Sequence, residues 1–368
     1  MTGQKTVTTD RESPRVAVIG GGANGEHAVS LASAAAVTRA VRELGAEAVA
    51  LTVDREGGWH LEGEGALTPA QAVAVLTDCA VAFPVLHGVD GEDGAAAGLL
   101  VMTGVPFVGS PVRAGALAAD KWATKLVAEA VGVATAPGVL VRPGDGVCRG
   151  GGHGPAGITL APPLVVKPTS GGSSDGVSVV ADLAELPAAV AHARTAGELV
   201  LVESFVEGRE VDIALFRDAG GVLRAGSTLE IGVDPHGVFD RDSKYDGSAE
   251  FTLPARLTLA EHTAVERAAR LLYVALGCDG VARFDFFVTD AGVVLNEVNT
   301  SPGFTERSQV PRMFEAVGLG YVELVGALVD AALAGPPGRA GVPGRANVPG
   351  RASVPGRASV ASRAGGPA

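Results

Sequence analysis

Arg283-Phe284-Asp285-Phe286, followed shortly by Asn296-Glu297-Val298-Asn299-Thr300-Ser301-Pro302-Gly303, is the stretch that decides how this chain is read. Its apolar runs, 283–288 and 293–298, predict two strands. Side chains alternate along a strand, so Glu297 and Asn299 share one face, as do Arg283 and Asp285. On adjacent strands, Asp285, Glu297 and Asn299 would gather on a single face. Two carboxylates and an amide oxygen are hard donors suited to Mg²⁺ bridging nucleotide phosphates. Arginine beside them suits charge that develops on a transferring group. A plain ion-paired strand pair is the bland alternative, and it buries many polar groups on one face at a cost that nothing offsets.

Working outward, Leu164-Val165-Val166-Lys167 predicts a buried strand that ends in a lysine and opens into Pro168-Thr169-Ser170-Gly171-Gly172-Ser173-Ser174-Asp175-Gly176. Such a loop offers backbone N–H groups and hydroxyls to phosphates. The lysine precedes the glycines, so this is no P-loop. His87-Gly88-Val89-Asp90-Gly91-Glu92-Asp93-Gly94 follows another strand run, 80–86, where open α/β sheets hold ligands. Gly20-Gly21-Gly22-Ala23-Asn24-Gly25 fits a dinucleotide fingerprint, but the acid wanted about 20 residues on is missing, Asp54 coming too late. A dehydrogenase is therefore the lesser reading. Of the polar residues that follow, Ser30 reads as a helix cap and Glu26 as a functional group.

Strand 15–19, helix 30–44 and strands 47–53 and 80–86 predict an α/β unit. Beyond it the pattern predicts one helix over 110–131 containing Asp120-Lys121-Trp122, strands at 138–141, 199–203 and 211–216, and helices at 259–276 and 321–333. In the 368 residues, 47% are hydrophobic and 19% charged, which excludes a wholly disordered chain. A formal charge of −12 argues against nucleic-acid or anionic-membrane partners. Cys79, Cys148 and Cys278 are scattered, which points to a reducing compartment without disulfides. With no signal peptide and no apolar run of spanning length, a cytoplasmic protein is expected. The first 14 residues read as a flexible leader and 144–157 as a surface insertion. From Gly335 onward a Pro-Gly-Arg-Ala-x-Val unit recurs and reads as a disordered basic tail, with an RNA or anionic-surface contact as its lesser reading.

His87 to Gly94, Asp120-Lys121, Lys167 to Gly176, Lys244-Tyr245 and Arg283 through Ser308 stand in the order found in the D-alanine–D-alanine ligases of the ATP-grasp superfamily. The chain resembles that family over about residues 15 to 330. The resemblance implies an α/β, three-domain ATP-grasp fold with an N-terminal Rossmann-like parallel sheet. Its parts would be 15–112 for substrate binding, 113–200 as the central domain, 201–334 as the catalytic C-terminal domain and 335–368 as the tail. The implied activity is ATP-dependent ligation of two D-alanines for peptidoglycan precursors, through a D-alanyl phosphate and a tetrahedral intermediate. ATP and two Mg²⁺ (or Mn²⁺) are the implied cofactors, D-alanine the ligand of both substrate sites, and a homodimer the implied assembly.

Carried onto matching positions, the resemblance implies that Asp285, Glu297 and Asn299 hold the metals. Lys121 and Lys167 would contact the ATP phosphates under the Gly171–Gly176 loop, Ser174 and Asn296 would also bind ATP, and Glu203, Phe205, Val206 and Glu210 would fit the adenosine. Glu26 would fix the ammonium of the first D-alanine, with His87 beside its carboxylate. Arg283 and the N–H of Gly303 would stabilise the oxyanion, while Ser308 and the backbone at Gln309 would hold the second carboxylate. Lys244 would reach the transferred phosphate. Tyr245, hydrogen-bonded to Ser173 and onward to Glu26, is the pattern that accompanies amine acceptors and so favours D-Ala-D-Ala. Asn24, Asp175 and Gln309 depart from the family pattern, which leaves D-lactate, D-serine or another amino acid as alternative acceptors. A nucleotide-binding regulator without turnover is the rival from another class, opposed by the intact Arg283 and metal ligands.

Overall fold

Both faces of Arg15–Gly21 (β1) are apolar because both are covered, with Val16, Ala17, Val18 and Ile19 nearly fully buried. In the computed structural model, which describes residues 14–145, 160–172, 174–232 and 250–335, β1 pairs in parallel with Glu47–Val53 (β2) and Val81–Pro84 (β5). Trp59–Leu61 (β3) and Gly65–Leu67 (β4) extend it antiparallel, giving the order β4-β3-β2-β1-β5. His27–Glu43 (α1) packs Val37, Ala40 and Val41 with Val16 and Val18, while Ala17 and Ile19 meet Leu76 of Pro69–Thr77 (α2) and Leu100 of Ala95–Thr103 (α3). Gly20 permits the close approach of α1, since a β-carbon there would collide with the Ala34 side chain.

Ser30 does not cap α1. Glu26 occupies the cap position, and Ser30 lies inside the helix, fully buried. Its hydroxyl donates to the Val85 carbonyl at 2.7 Å and accepts from Gly21 N–H at 2.8 Å. It therefore ties the glycine run to the end of β5. The single helix expected over 110–131 is likewise two, Val112–Ala119 (α4) and Lys121–Ala130 (α5). Asp120 breaks them because its carboxylate accepts from the N–H groups of Trp122 and Ala123, the usual task of an N-cap.

A four-stranded antiparallel sheet runs Gly138–Val141 (β7), Val200–Ser204 (β10), Leu164–Pro168 (β8), Ser178–Val180 (β9), with Leu186–Ala193 (α6) packed on it. The third sheet has seven strands. Glu250–Thr252 (β14), Leu229–Gly232 (β13), Arg209–Arg217 (β11), Val281–Thr289 (β15), Gly292–Asn299 (β16) and Ala134–Thr135 (β6) lie in that order, and Leu223–Ala225 (β12) pairs with β11. Leu259–Leu276 (α7) covers one face through Val265, Leu272 and Tyr273 against Val211, Ile213, Phe284 and Phe286. On the opposite face, Ala214 and Phe216 pack with Gln309–Glu315 (α8), Tyr321–Ala334 (α9) and the Val16/Val18 side of the first sheet. Phe284 and Phe286 point into the α7 core, so alternation turns Arg283 and Asp285 the other way. Residues 1–13 of the leader, residues 146–157 of the insertion and the tail beyond Gly335 lie outside the described residues.

Candidate active site

Two antiparallel ladders set the strand face. Asp285 stands opposite Glu297 on β16, and Arg283 stands opposite Asn299. The four polar residues read from sequence thus share one face of the seven-stranded sheet. Arg283 donates through Nε and Nη2 to the two oxygens of Asp285, at 2.7 and 2.6 Å, a bidentate pair. Its Nη1 donates to Gln309 Oε1 at 2.8 Å. Burial works against the charge on Arg283, but Asp285, Asp212 and Glu297 outweigh it and hold the guanidinium firmly protonated.

On the other flank of β15, Asp212 of β11 stands directly opposite Asp285. It is 0% exposed, and among the described residues no donor reaches either of its oxygens. The Arg283 Nε lies 3.6 Å away. Burial first, and the neighbouring Asp285 second, push the Asp212 carboxyl well above the usual carboxylate range.

Lys121, first residue of α5, joins this face to the Gly/Ser loop. Its Nζ donates to the Gly171 carbonyl at 2.9 Å and lies 3.3 Å from Glu297 Oε2. The loop passes over Glu26, since a β-carbon at Gly172 would come within 2.9 Å of Glu26 Oε1. Ser174 lies in the same loop in a left-handed conformation, φ 59°. Lys167, at the end of β8, sits 2.5 Å from Glu203 Oε1 and donates to Asn296 Oδ1 at 3.3 Å. Lys125 takes the other Glu203 oxygen at 2.9 Å and also donates to the Ala136 carbonyl. Burial alone would raise the Glu203 carboxyl, but the two ammonium groups prevail and hold it below its ordinary range. Burial pulls Lys125 down in turn, with Glu203 opposing. Phe205 and Val206 form the half-buried link from β10 to β11, and Glu210 lies at the start of β11.

His87 is 2% exposed and tethered on both ring nitrogens, by the Ser301 carbonyl at 2.7 Å and the Ser33 hydroxyl at 3.1 Å. Burial lowers its pKa, so the ring is neutral at neutral pH. Glu92, in the same loop, is pushed up to about 8 by burial and by the facing Glu26 carboxylate. Gly303 and Ser308 are neighbours before α8, and the Ser308 hydroxyl accepts from Thr305 N–H at 3.0 Å. Ser173, Lys244 and Tyr245 lie outside the described residues.

The strand face supplies oxygen donors only, Asp285 and Glu297 carboxylates and the Asn299 amide, which suits Mg²⁺ or Mn²⁺ better than a soft metal. Among the described residues no three His, Cys, Asp or Glu converge as a self-sufficient metal cluster. Asp212, Lys125 and Glu92 are the residues that sequence reasoning left without a role. An aspartate inside the apolar run 211–216 was the available signal for the first. Nothing in the sequence distinguished Lys125 from a solvated helix lysine.

A model of the D-ala D-ala ligase N-terminus matches residues 63–110, and one of the C-terminus matches residues 155–330. The D-alanine–D-alanine ligase of Rhodococcus opacus is 39% identical, over 87% of this chain and 97% of its own length. That of Mycolicibacterium smegmatis is 38% identical, over 87% and 95%. Among solved structures, the VanG D-Ala:D-Ser ligase of Enterococcus faecalis superposes with a TM-score of 0.74 at 28% identity, over 87% of this chain and 99% of that one. The D-alanine–D-alanine ligase of Coxiella burnetii gives 0.72 at 27%, over 88% and 94%.

Proposed function

The chain belongs to the D-alanine–D-alanine ligase family, and from that membership we propose that it joins two D-alanines at the expense of ATP to supply the dipeptide of peptidoglycan precursors. It is a ligase, and its fold is the mixed α/β ATP-grasp fold. The observation that carries the reading is the strand face on which Arg283, Asp285, Glu297 and Asn299 meet across one ladder.

An amine cannot displace oxide from a carboxylate, so the first D-alanine is activated by taking the γ-phosphoryl group of ATP. Lys121 and Lys167 steady the phosphates, the loop through Gly171 and Ser174 closes over them, and Asn296 keeps Lys167 in place. Phe205 and Val206 pack the adenine, with Glu203 and Glu210 at its polar edges. Glu26 fixes the ammonium of the first D-alanine and His87 orients the loop beside its carboxylate. Asp285, Glu297 and Asn299 would hold the divalent cations, which would supply neutralisation of the phosphate charge. The second amine attacks the acyl phosphate. Arg283 and the Gly303 N–H then stabilise the oxyanion, and phosphate leaves. Ser308 and the Gln309 backbone seat the second carboxylate, while Ser173, Lys244 and Tyr245 would complete the pocket.

The division into parts at 15–112, 113–200 and 201–334, a homodimer and a cytoplasmic location belong to the same proposal. Among the described residues no helix is long and apolar enough to cross a membrane. A second acceptor, D-serine as for the VanG ligase or D-lactate, is the alternative, favoured by Gln309, which stands beside Ser308 and accepts from Arg283.

The test is phosphate release from ATP and Mg²⁺ with D-alanine alone, then with D-lactate or D-serine added, and products identified by mass. D-alanine alone should suffice and give the dipeptide. Release only after a second acceptor is supplied would overturn the acceptor assignment, and no release in any mixture would overturn the ligation itself.

A further inference from the structure

A carboxylate that is fully buried and has no hydrogen-bond donor is expensive, and proteins seldom keep one without a use. Among the described residues Asp212 is that group: no N–H or hydroxyl donor reaches its oxygens, and the side chain it can share a proton with is a second acid, Asp285. On β13 its register partner is the apolar Leu229, which offers it nothing. Across β15 its partner is Asp285, a second acid. One residue further along the same face, Ala214 stands opposite Arg283. So small a side chain leaves the guanidinium room to lean toward β11. Among the described residues, the cation in reach of Asp212 is Arg283, whose Nε is 3.6 Å from Oδ2.

Both oxygens of Asp285 are taken by Arg283. An Asp285 that binds a divalent cation must give up at least part of that pair. Arg283 is itself largely buried and would then lose its nearest counter-charge. Gln309 Oε1 keeps Nη1, but it is neutral.

We propose that Asp212 is a positioning residue that receives the Arg283 guanidinium when Asp285 turns to the metal, so that Asp285 is released and Arg283 stays aimed at the reacting carbon. The inference rests on the metal role of Asp285 proposed above. Gln309 fixes one corner of the guanidinium as a pivot, and a small rotation about it exchanges Asp285 for Asp212. Either protonation state leaves Asp212 an oxygen that accepts from Nε–H. Without Asp212, Arg283 remains on Asp285 and competes with the cation.

The test is a titration of the full chain with Mn²⁺ in the presence of a non-hydrolysable ATP analogue, followed by electron paramagnetic resonance of the free ion. Asp212→Ala should weaken Mn²⁺ binding by about ten- to a hundredfold, the range seen when a group supporting a metal ligand is lost. Asp212→Asn, which keeps an oxygen acceptor and nearly the same volume, should fall between that variant and the parent, and it carries the test if Asp212→Ala fails to fold. In an Arg283→Ala background the loss should vanish, because no guanidinium remains to compete. A loss that persists there would mean that Asp212 acts on the cation by charge alone, and the partner exchange would be wrong. Unchanged Mn²⁺ affinity in both single variants would also overturn it, leaving the metal site intact. A parent chain that binds no Mn²⁺ with nucleotide would instead refute the metal role of Asp285, and this inference with it.

Discussion

Arg283→Ala should lower kcat for dipeptide formation by about a hundred- to a thousandfold, the cost of removing one preorganised oxyanion donor. Affinity for a non-hydrolysable ATP analogue should stay close to that of the parent. The reasoning is differential: Arg283 is assigned to charge that exists only in the transition state, so its loss reads in kcat rather than in ground-state binding. Steady-state kinetics paired with a nucleotide-binding titration check it. Equal loss of ATP affinity would refute the oxyanion role and recast Arg283 as a counter-ion of Asp285, with which it already forms a bidentate pair.

Glu203→Ala should have the second large effect, on stability and on the KM for ATP together. Glu203 divides its oxygens between Lys167 and Lys125, all three nearly buried. Removing the shared anion leaves two buried ammonium groups facing one another, and breaking a buried pair in this way costs about 3–5 kcal/mol. Urea unfolding of the two chains measures it, and a difference below about 1 kcal/mol, the worth of an exposed pair, would show that the triad is not desolvated in solution. The acid limb gives an independent check. The folded-state pKa of Glu203 lies below its ordinary value of 4.5, so its stabilisation is complete above that value and is lost as the pH falls through the depressed one. Glu203→Gln should lose this part of the acid slope.

The net charge of −12 argued against a nucleic-acid binder, and the polar strand face was legible because it rests on spacing along strands. Arg283 and Asp285 lie two apart in one apolar run, Glu297 and Asn299 two apart at the end of the other, and alternation alone puts each pair on a face. Their meeting needed one further fact, that β15 pairs with β16, which a short connection makes the simplest arrangement. Helix 259–276 was legible for similar reasons, with Thr258 and Glu261 forming a capping box at its start. Local reading failed where a side chain answers to a distant partner. Ser30 looks like a cap, but its hydroxyl serves Gly21 and Val85, the latter far along the chain. Asp120 looks like a helix residue, and only its carboxylate geometry reveals the break.

The sequence by itself therefore determined the family, the fold class and the shared polar face of Asp285, Glu297 and Asn299, since these depend on periodicity and on motifs contiguous in the chain. Tertiary structure alone decided which charges face one another. Asp212 opposes Asp285 through a ladder between strands separated by α7, and Lys125 finds Glu203 across the junction of a helix and a different sheet. Such pairings are set by register and burial between distant segments. They fix how strongly each group is charged and which ligand it is free to take, and no local pattern of residues encodes them.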